Sequence, residues 1–268
     1  MKKCTVLFII LFFPVLTFSQ ELPKTEIIVL GTVHNATEAY SEETLFSILE
    51  QLQPDIILFE HPVSWPADKF LDVFKKRKTV TLETVTLVKY LEENPSVLLR
   101  YYDIANRNKF YQETNYFEDE RNLSKQLGEL KEDNKLGSLA ESLLEQMIIL
   151  YKIRDVIGEE NPRIINSAAA DSAISLKHEY VNNNIIKLTE MIPELNKFSK
   201  FATISKNFWN KRNRKMAEHI IKHSKDFQGK RLVVITGYEH RCFLRNLLKK
   251  SEETNFILKE YWECIDNK

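Results

Sequence analysis

The chain has little of what small or specialised folds depend on. Three cysteines among 268 residues cannot staple a disulfide-rich scaffold, and neither their number nor their spacing makes a cysteine-based metal site. Only six glycines and eight prolines are present, and no internal repeat or low-complexity tract interrupts the sequence. Charge of one sign is not in excess, with 38 Lys and Arg against 38 Asp and Glu. Nucleic acid as the main partner needs a clustered surplus of cations, so the balance speaks against it. The two basic runs, 75–78 and 211–215, lie inside amphipathic patterns and read as solvated helix faces.

What is present begins with Lys2 and Lys3, followed by an uncharged apolar run from Val6 to Phe18 and then Ser19 and Gln20. This is the pattern of a secretory signal peptide over 1–20, with small residues Thr17 and Ser19 before a cleavage point near Ser19. The alternative is a retained membrane anchor, but the run is shorter than the roughly 20 apolar residues of a spanning helix. Cys4 precedes the apolar run and so cannot be the acylated cysteine of a lipoprotein. An exported protein, secreted or periplasmic and without a retained span, is expected. Its mature part carries 36 basic against 38 acidic side chains, and Cys242 and Cys264 are its only cysteines, either paired in one disulfide or left as two thiols.

The mature length suits one domain, 21–268. Residues 26–30 (EIIVL) and 55–59 (DIILF) are short continuous apolar runs, the signature of strands buried on both faces in a parallel sheet. Between them, 41–53 carries Leu45, Ile48, Leu49 and Leu52 at helical spacing, with Glu42 and Glu43 in its first turn and Pro54 beyond its end. A matching unit closes the chain: a helix over 212–225, a strand over 231–236, a helix over 241–250 and a last strand over 255–258. The expected class is α/β, a mainly parallel sheet built from the two ends of the chain, with a helical insertion or cap over about 66–205.

Both main strands run into the same pattern, Gly31-Thr32-Val33-His34 and Gly237-Tyr238-Glu239-His240. A glycine at that point permits a sharp turn and close backbone approach. The strand over 55–59 ends on Glu60, followed by His61. Ligand sites in open parallel sheets lie outside the carboxyl ends of the strands. If the three strands are neighbours, His34, Glu60 and His240 converge. Two imidazoles and a carboxylate can hold a catalytic metal with one position open for water. Glu60 acting as base beside a metal, or His34 acting as base without one, are the alternatives. His219 and His223, four apart on one helix, read as surface or packing residues, and His178 reads as structural.

The segments GTVH at 31–34, PDIILFE at 54–60, KRNRKMAEHI at 211–220 and VVITGYEHRCFLRNLL at 233–248 together resemble the TraB, PrgY, GumN and Tiki group. That group is related at the level of fold to erythromycin esterases and the haem-binding ChaN proteins. Its members show two Gly-x-x-His motifs, a glutamate after the second strand and an Arg-Asn pair before the second motif. The likeness covers 26–62 and 207–260, and it departs at Tyr238 and Glu239, where relatives carry small residues. The resemblance implies metal or catalytic roles for His34, Glu60 and His240 and a site role for Arg212, with Arg241 ranked below it. The two imidazoles and one carboxylate at strand ends point to a metal-dependent, peptidase- or esterase-like hydrolase acting on a peptide or small-molecule substrate, and their mixed nitrogen and oxygen donors are compatible with Zn, Mn, Co or Fe. A non-catalytic protein binding haem, a metal or a peptide signal in the same crevice is the alternative, with Tyr238 and His240 as the haem ligands.

Overall fold

The computed structural model describes residues 23–77, 81–253 and 255–265; the expected signal peptide lies outside the described residues. Five strands form one parallel sheet: β1 (Thr25–Thr32), β2 (Ile56–Pro62), β3 (Leu98–Asp103), β4 (Arg231–Gly237) and β5 (Phe256–Lys259), in the order β3-β2-β4-β1-β5. Eleven α-helices accompany them among the described residues. Those nearest the sheet are α1 (Glu42–Leu52), α2 (Phe70–Phe74) and α3 (Leu82–Glu93). The helices α4 (Arg107–Glu113), α5 (Tyr116–Glu132), α6 (Ser138–Gly158), α7 (Pro162–Ile165) and α8 (Ala168–Met191) follow β3, and α9 (Ser199–Asp226), α10 (Tyr238–Lys249) and α11 (Tyr261–Ile265) complete the chain.

The unbroken apolar runs follow from burial on both faces. Ile28, Leu30, Ile57, Val233 and Ile235 pack into one core with α1 and α3. Their alternating neighbours Ile27, Val29, Leu58, Leu232 and Val234 pack into another with α9 and α10. No polar face is left to alternate. Local signals set the ends of α1: Ser41 accepts from the Thr44 amide, and Gln53 closes the helix in the left-handed region at φ 49° before Pro54.

The place of β4 in the sheet determines the site. β4 inserts between β1 and β2, so the three strand ends carrying the expected residues are neighbours. The connection from β1 crosses one face of the sheet through α1 and that from β4 crosses the other through α10. Adjacent strands whose connections diverge in this way leave a crevice at their carboxyl ends.

The middle of the chain is not helical throughout. β3 and α3 fall inside 66–205 yet belong to the sheet and its cover. β3 is an edge strand with Leu98 exposed and Arg100 half-buried, so it lacks the continuous apolar signature of its neighbours. The helical part proper follows Asp103 and has its own core, which includes Leu123, Leu127, Leu143, Met147, Leu188 and Phe201. α9 joins the two bodies, with Phe201 in the helical core and Met216, Ala217 and Ile220 against the sheet. Arg212 and Asn213 stand between these contacts.

Cys242 and Cys264 are both free, the first buried in α10. Burial pushes the Cys242 thiol up to about 12. No described helix is long and apolar enough to cross a membrane.

Candidate functional site

Glu60, near the end of β2, accepts three hydrogen bonds. Its Oε1 accepts from Arg212 Nη2 at 2.6 Å, and its Oε2 accepts from the Thr236 hydroxyl at 2.8 Å and the Gly237 amide at 3.0 Å. Arg212 is equally committed. It donates from Nε and Nη2 to the two oxygens of Asp103 at 2.9 and 2.8 Å, and from Nη1 to His240 Nε2 at 3.0 Å. Asp103, wholly buried at the end of β3, also accepts from Arg107 Nη1 at 2.7 Å. A planar guanidinium fork against two carboxylates is the geometry arginine fits and lysine cannot.

The same network fixes the tautomer of His240. Asn213 gives its Nδ2 hydrogens to the Trp209 carbonyl at 2.9 Å, which turns its Oδ1 towards His240 Nδ1 at 2.8 Å. Nδ1 therefore donates, and Nε2 keeps the lone pair that Arg212 meets. Trp209 stacks on the His240 ring at 4.2 Å and on His178 at 4.1 Å. Burial holds His240 down at about 4, so the ring is neutral at ordinary pH. Burial opposes ionisation of Glu60, but His240, the Arg212 cation, the Gly237 amide and the Thr236 hydroxyl outweigh it and hold the carboxyl well below its usual range. Of these, the permanent charge of Arg212 is the decisive one, because His240 is uncharged.

His34 is built differently. Its carbonyl accepts from the Leu82 amide at 2.8 Å, which ties the loop after β1 to the start of α3. Its Nδ1 lies 3.1 Å from Oε1 of the buried Glu83, which also accepts from the Thr32 hydroxyl at 2.7 Å. The Glu83 hydrogen bond raises His34 to about 9, so the ring is an imidazolium at neutral pH. The ring stays open to solvent, with 68% of its side chain exposed. Its Nε2 faces the strand ends: a Cβ added to Gly237 would sit 3.6 Å from it and 3.9 Å from Glu60 Oε2. Gly237 thus keeps a methyl-sized gap between imidazole and carboxylate. Gly31 serves another purpose, since a Cβ there would meet Arg241 Cδ at 3.0 Å and the Tyr238 Cα at 3.2 Å. Neither glycine has the positive φ of a sharp turn; among the described glycines only Gly229 does. Close approach is what Gly31 requires, whereas a Cβ at Gly237 would make only ordinary contacts.

Two cavities of about 580 and 590 Å³ meet at these residues and share His34, Glu60, Arg212 and Gly237 as a common floor. Each is of ligand size. The first is walled by Phe59, His61, Phe74 and Arg77 from the β2–α2 side and by Arg107, Tyr111 and Phe117 from α4 and α5. The second runs under Arg154, Glu159, Trp209 and Tyr238.

The expected metal triad is brought into one crevice but is not arranged to take a cation. Both nitrogens of His240 are used, the Glu60 oxygens are filled by three donors, and the Arg212 guanidinium stands where a metal would bridge them. Among the described residues no group of three His, Cys, Asp or Glu side chains is placed to hold a metal ion. Haem fares no better on the expected ligands, because Tyr238 turns away and gives its hydroxyl to the Arg154 carbonyl at 2.9 Å.

The remaining expected residues divide. His61 lines the first cavity, its ring stacked on Trp65 at 5.2 Å and edge-on to Phe59 at 4.9 Å, and burial lowers it to about 4. Glu239 leaves the floor to meet Lys177 Nζ at 2.7 Å and His178 Nε2 at 2.8 Å. Arg241 is fully buried, paired with Asp171 and Glu260 and donating to the Val29 carbonyl, and so braces β1 from beneath. His219 and His223 meet the carbonyls of Tyr102 and Tyr101 and pack α9 against β3.

Sequence reasoning passed over Asp103, Glu83 and Asn166. Asp103 follows the unrecognised edge strand, and Glu83 sits in the first turn of a helix where acidic residues are ordinary. Asn166 continues the ladder of β1 past the end of β5, accepting from the Gly31 amide at 2.7 Å and donating to its carbonyl at 3.0 Å. The only available signal was Asp103 closing the Leu-Leu-Arg-Tyr-Tyr run at 98–102. Comparison with protein-family models, curated proteins and solved structures found no match to this chain.

Proposed function

We propose that this chain is an exported hydrolase of ester or amide bonds that uses the Glu83–His34 pair as its acid–base element, without a metal ion. The observation carrying the reading is a solvent-facing imidazole whose Nδ1 is held by a buried carboxylate while its Nε2 faces the cleft floor. A carboxylate behind a histidine fixes its tautomer and stabilises the imidazolium that forms on proton uptake. In this reading neutral His34 takes a proton from water as the water attacks the scissile carbonyl, then returns it to the leaving group. Arg212 has five N–H groups and spends four on Asp103, Glu60 and His240, so one remains for the oxygen on which negative charge develops. Glu60 is a poor base, because its carboxyl is held well below its usual range and its oxygens already accept from three donors, and its role is to hold Arg212 in place. The resemblance of the four segments to the TraB, PrgY, GumN and Tiki group supports the hydrolase class, and the N-terminal apolar segment supports export.

The test is hydrolysis of p-nitrophenyl acetate and of a panel of unblocked dipeptides by wild type, His34→Ala and Glu83→Gln. A loss of about 10²- to 10⁴-fold in His34→Ala, the usual worth of a general base, is expected. Turnover in that variant equal to wild type sinks the assignment. A pure binding protein is the second reading, favoured by the commitment of Glu60 to Arg212, Thr236 and Gly237. It requires saturable ligand binding with no turnover in any of the three proteins.

A further inference from the structure

The first cavity has a composition that the chemistry of His34 does not explain. Rings make up much of its wall: Phe59, His61 and Phe74 line it, with the half-buried, neutral His61 ring 4.9 Å from Phe59 and 5.3 Å from Phe74 and backed by Trp65 and Tyr101 outside the cavity. Tyr111 and Phe117, 4.8 Å apart, bring a second aromatic pair from α4 and α5. Such a slot suits a flat apolar group.

Charge supplies the other half. His34 and Glu83 cancel. Asp103 and Glu60 then answer three guanidinium groups, those of Arg212, Arg107 and Arg77. Arg77 carries the surplus. It lies over the Phe74 ring at 4.6 Å and has no ion-pair partner among the described residues. One positive charge therefore stands uncompensated beside an aromatic slot.

We infer that this arm of the cleft recognises an aromatic group bearing a carboxylate, seated against the His61 panel with its anion towards Arg77. The inference deepens the hydrolase reading by naming the class of substrate, and it rests on that reading only for what happens after binding. The probes are 3-phenylpropionate, its neutral isostere 3-phenylpropionamide, and propionate, titrated calorimetrically into wild type, Arg77→Gln and His34→Ala at low salt. Phenylpropionate should bind wild type about threefold to fivefold tighter than the amide, the preference expected of a partly exposed ion pair. Propionate should bind more weakly than either, for want of the ring. Arg77→Gln, a change at an exposed position, should bring the acid-to-amide ratio close to one. Equal affinities for acid and amide in wild type, an unchanged ratio in Arg77→Gln, or no saturable binding of either ring compound would overturn it. Binding with this preference but without ester turnover leaves the inference standing and removes the hydrolase reading; turnover without the preference does the reverse.

Discussion

Replacing Asp103 by Asn keeps the shape of the site and removes one charge, which makes it the sharpest probe of the Arg212 network. In the wild type this carboxylate is inaccessible to solvent and accepts from Arg212 Nε, Arg212 Nη2 and Arg107 Nη1 at 2.7 to 2.9 Å. Asn offers one acceptor oxygen and turns a donor group towards a guanidinium that already has too few acceptors. Breaking a buried ion pair by removing one partner costs about 3–5 kcal/mol, and the surviving amide acceptor places this change near the lower figure, about 3 kcal/mol. With a denaturant slope of about 3 kcal/mol per M for urea, the unfolding midpoint should fall by about 1 M. A cycle with Arg212→Met should show non-additivity of at least about 1 kcal/mol, because the two residues share hydrogen bonds. A midpoint within about 0.2 M of wild type, together with additive effects, would refute the claim that Asp103 anchors Arg212.

The other expectations are briefer. Gly31→Ala should destabilise by about 1–3 kcal/mol because its methyl meets the Tyr238 backbone, whereas Gly128→Ala, in open space within α5, should stabilise by about 0.5–1 kcal/mol; paired urea curves decide it. Asn166→Ala should cost about 1–3 kcal/mol, since the buried Gly31 amide loses its acceptor, and amide exchange at Gly31 should accelerate. His240 and His61 are held neutral with lowered pKa values of about 4, so the unfolded chain protonates them first. Stability should therefore fall as pH drops from about 6.5 to about 4, and His240→Gln should flatten that slope in urea melts. His34 has the opposite sign. Its raised pKa adds stability that is complete below about 6.5 and lost as pH rises through about 9, a small effect at so exposed a ring, and its ring proton resonances should titrate with a midpoint well above 7.

The doubly buried strands were legible because a short, continuous apolar run bounded by polar residues demands burial on both faces. Glu26–Leu30, Asp55–Phe59 and Arg231–Thr236 each fall within three residues of the observed strand ends. β3 was not legible: at the sheet edge, Arg100 and a half-exposed Leu98 erase the signal, and Asp103 was hidden with it. Convergence of His34, Glu60 and His240 could be anticipated from where they leave their strands. That Arg212 would fill the space among them could not, because the guanidinium arrives from a helix 109 residues beyond Asp103. Of the two glycines only Gly31 is a position of close approach, and neither is a sharp turn, since sequence alone does not separate absence of a Cβ from need for positive φ.

The most direct test of the central claim is the pH–rate profile of ester hydrolysis from pH 6 to 10 in the presence of a chelator, for wild type and His34→Ala. The proposed role of His34 as a metal-free base predicts a rate that rises about tenfold per pH unit, levels near pH 9, is indifferent to the chelator and is absent from the variant. Activity that disappears with the chelator, or a profile unchanged in His34→Ala, would contradict it.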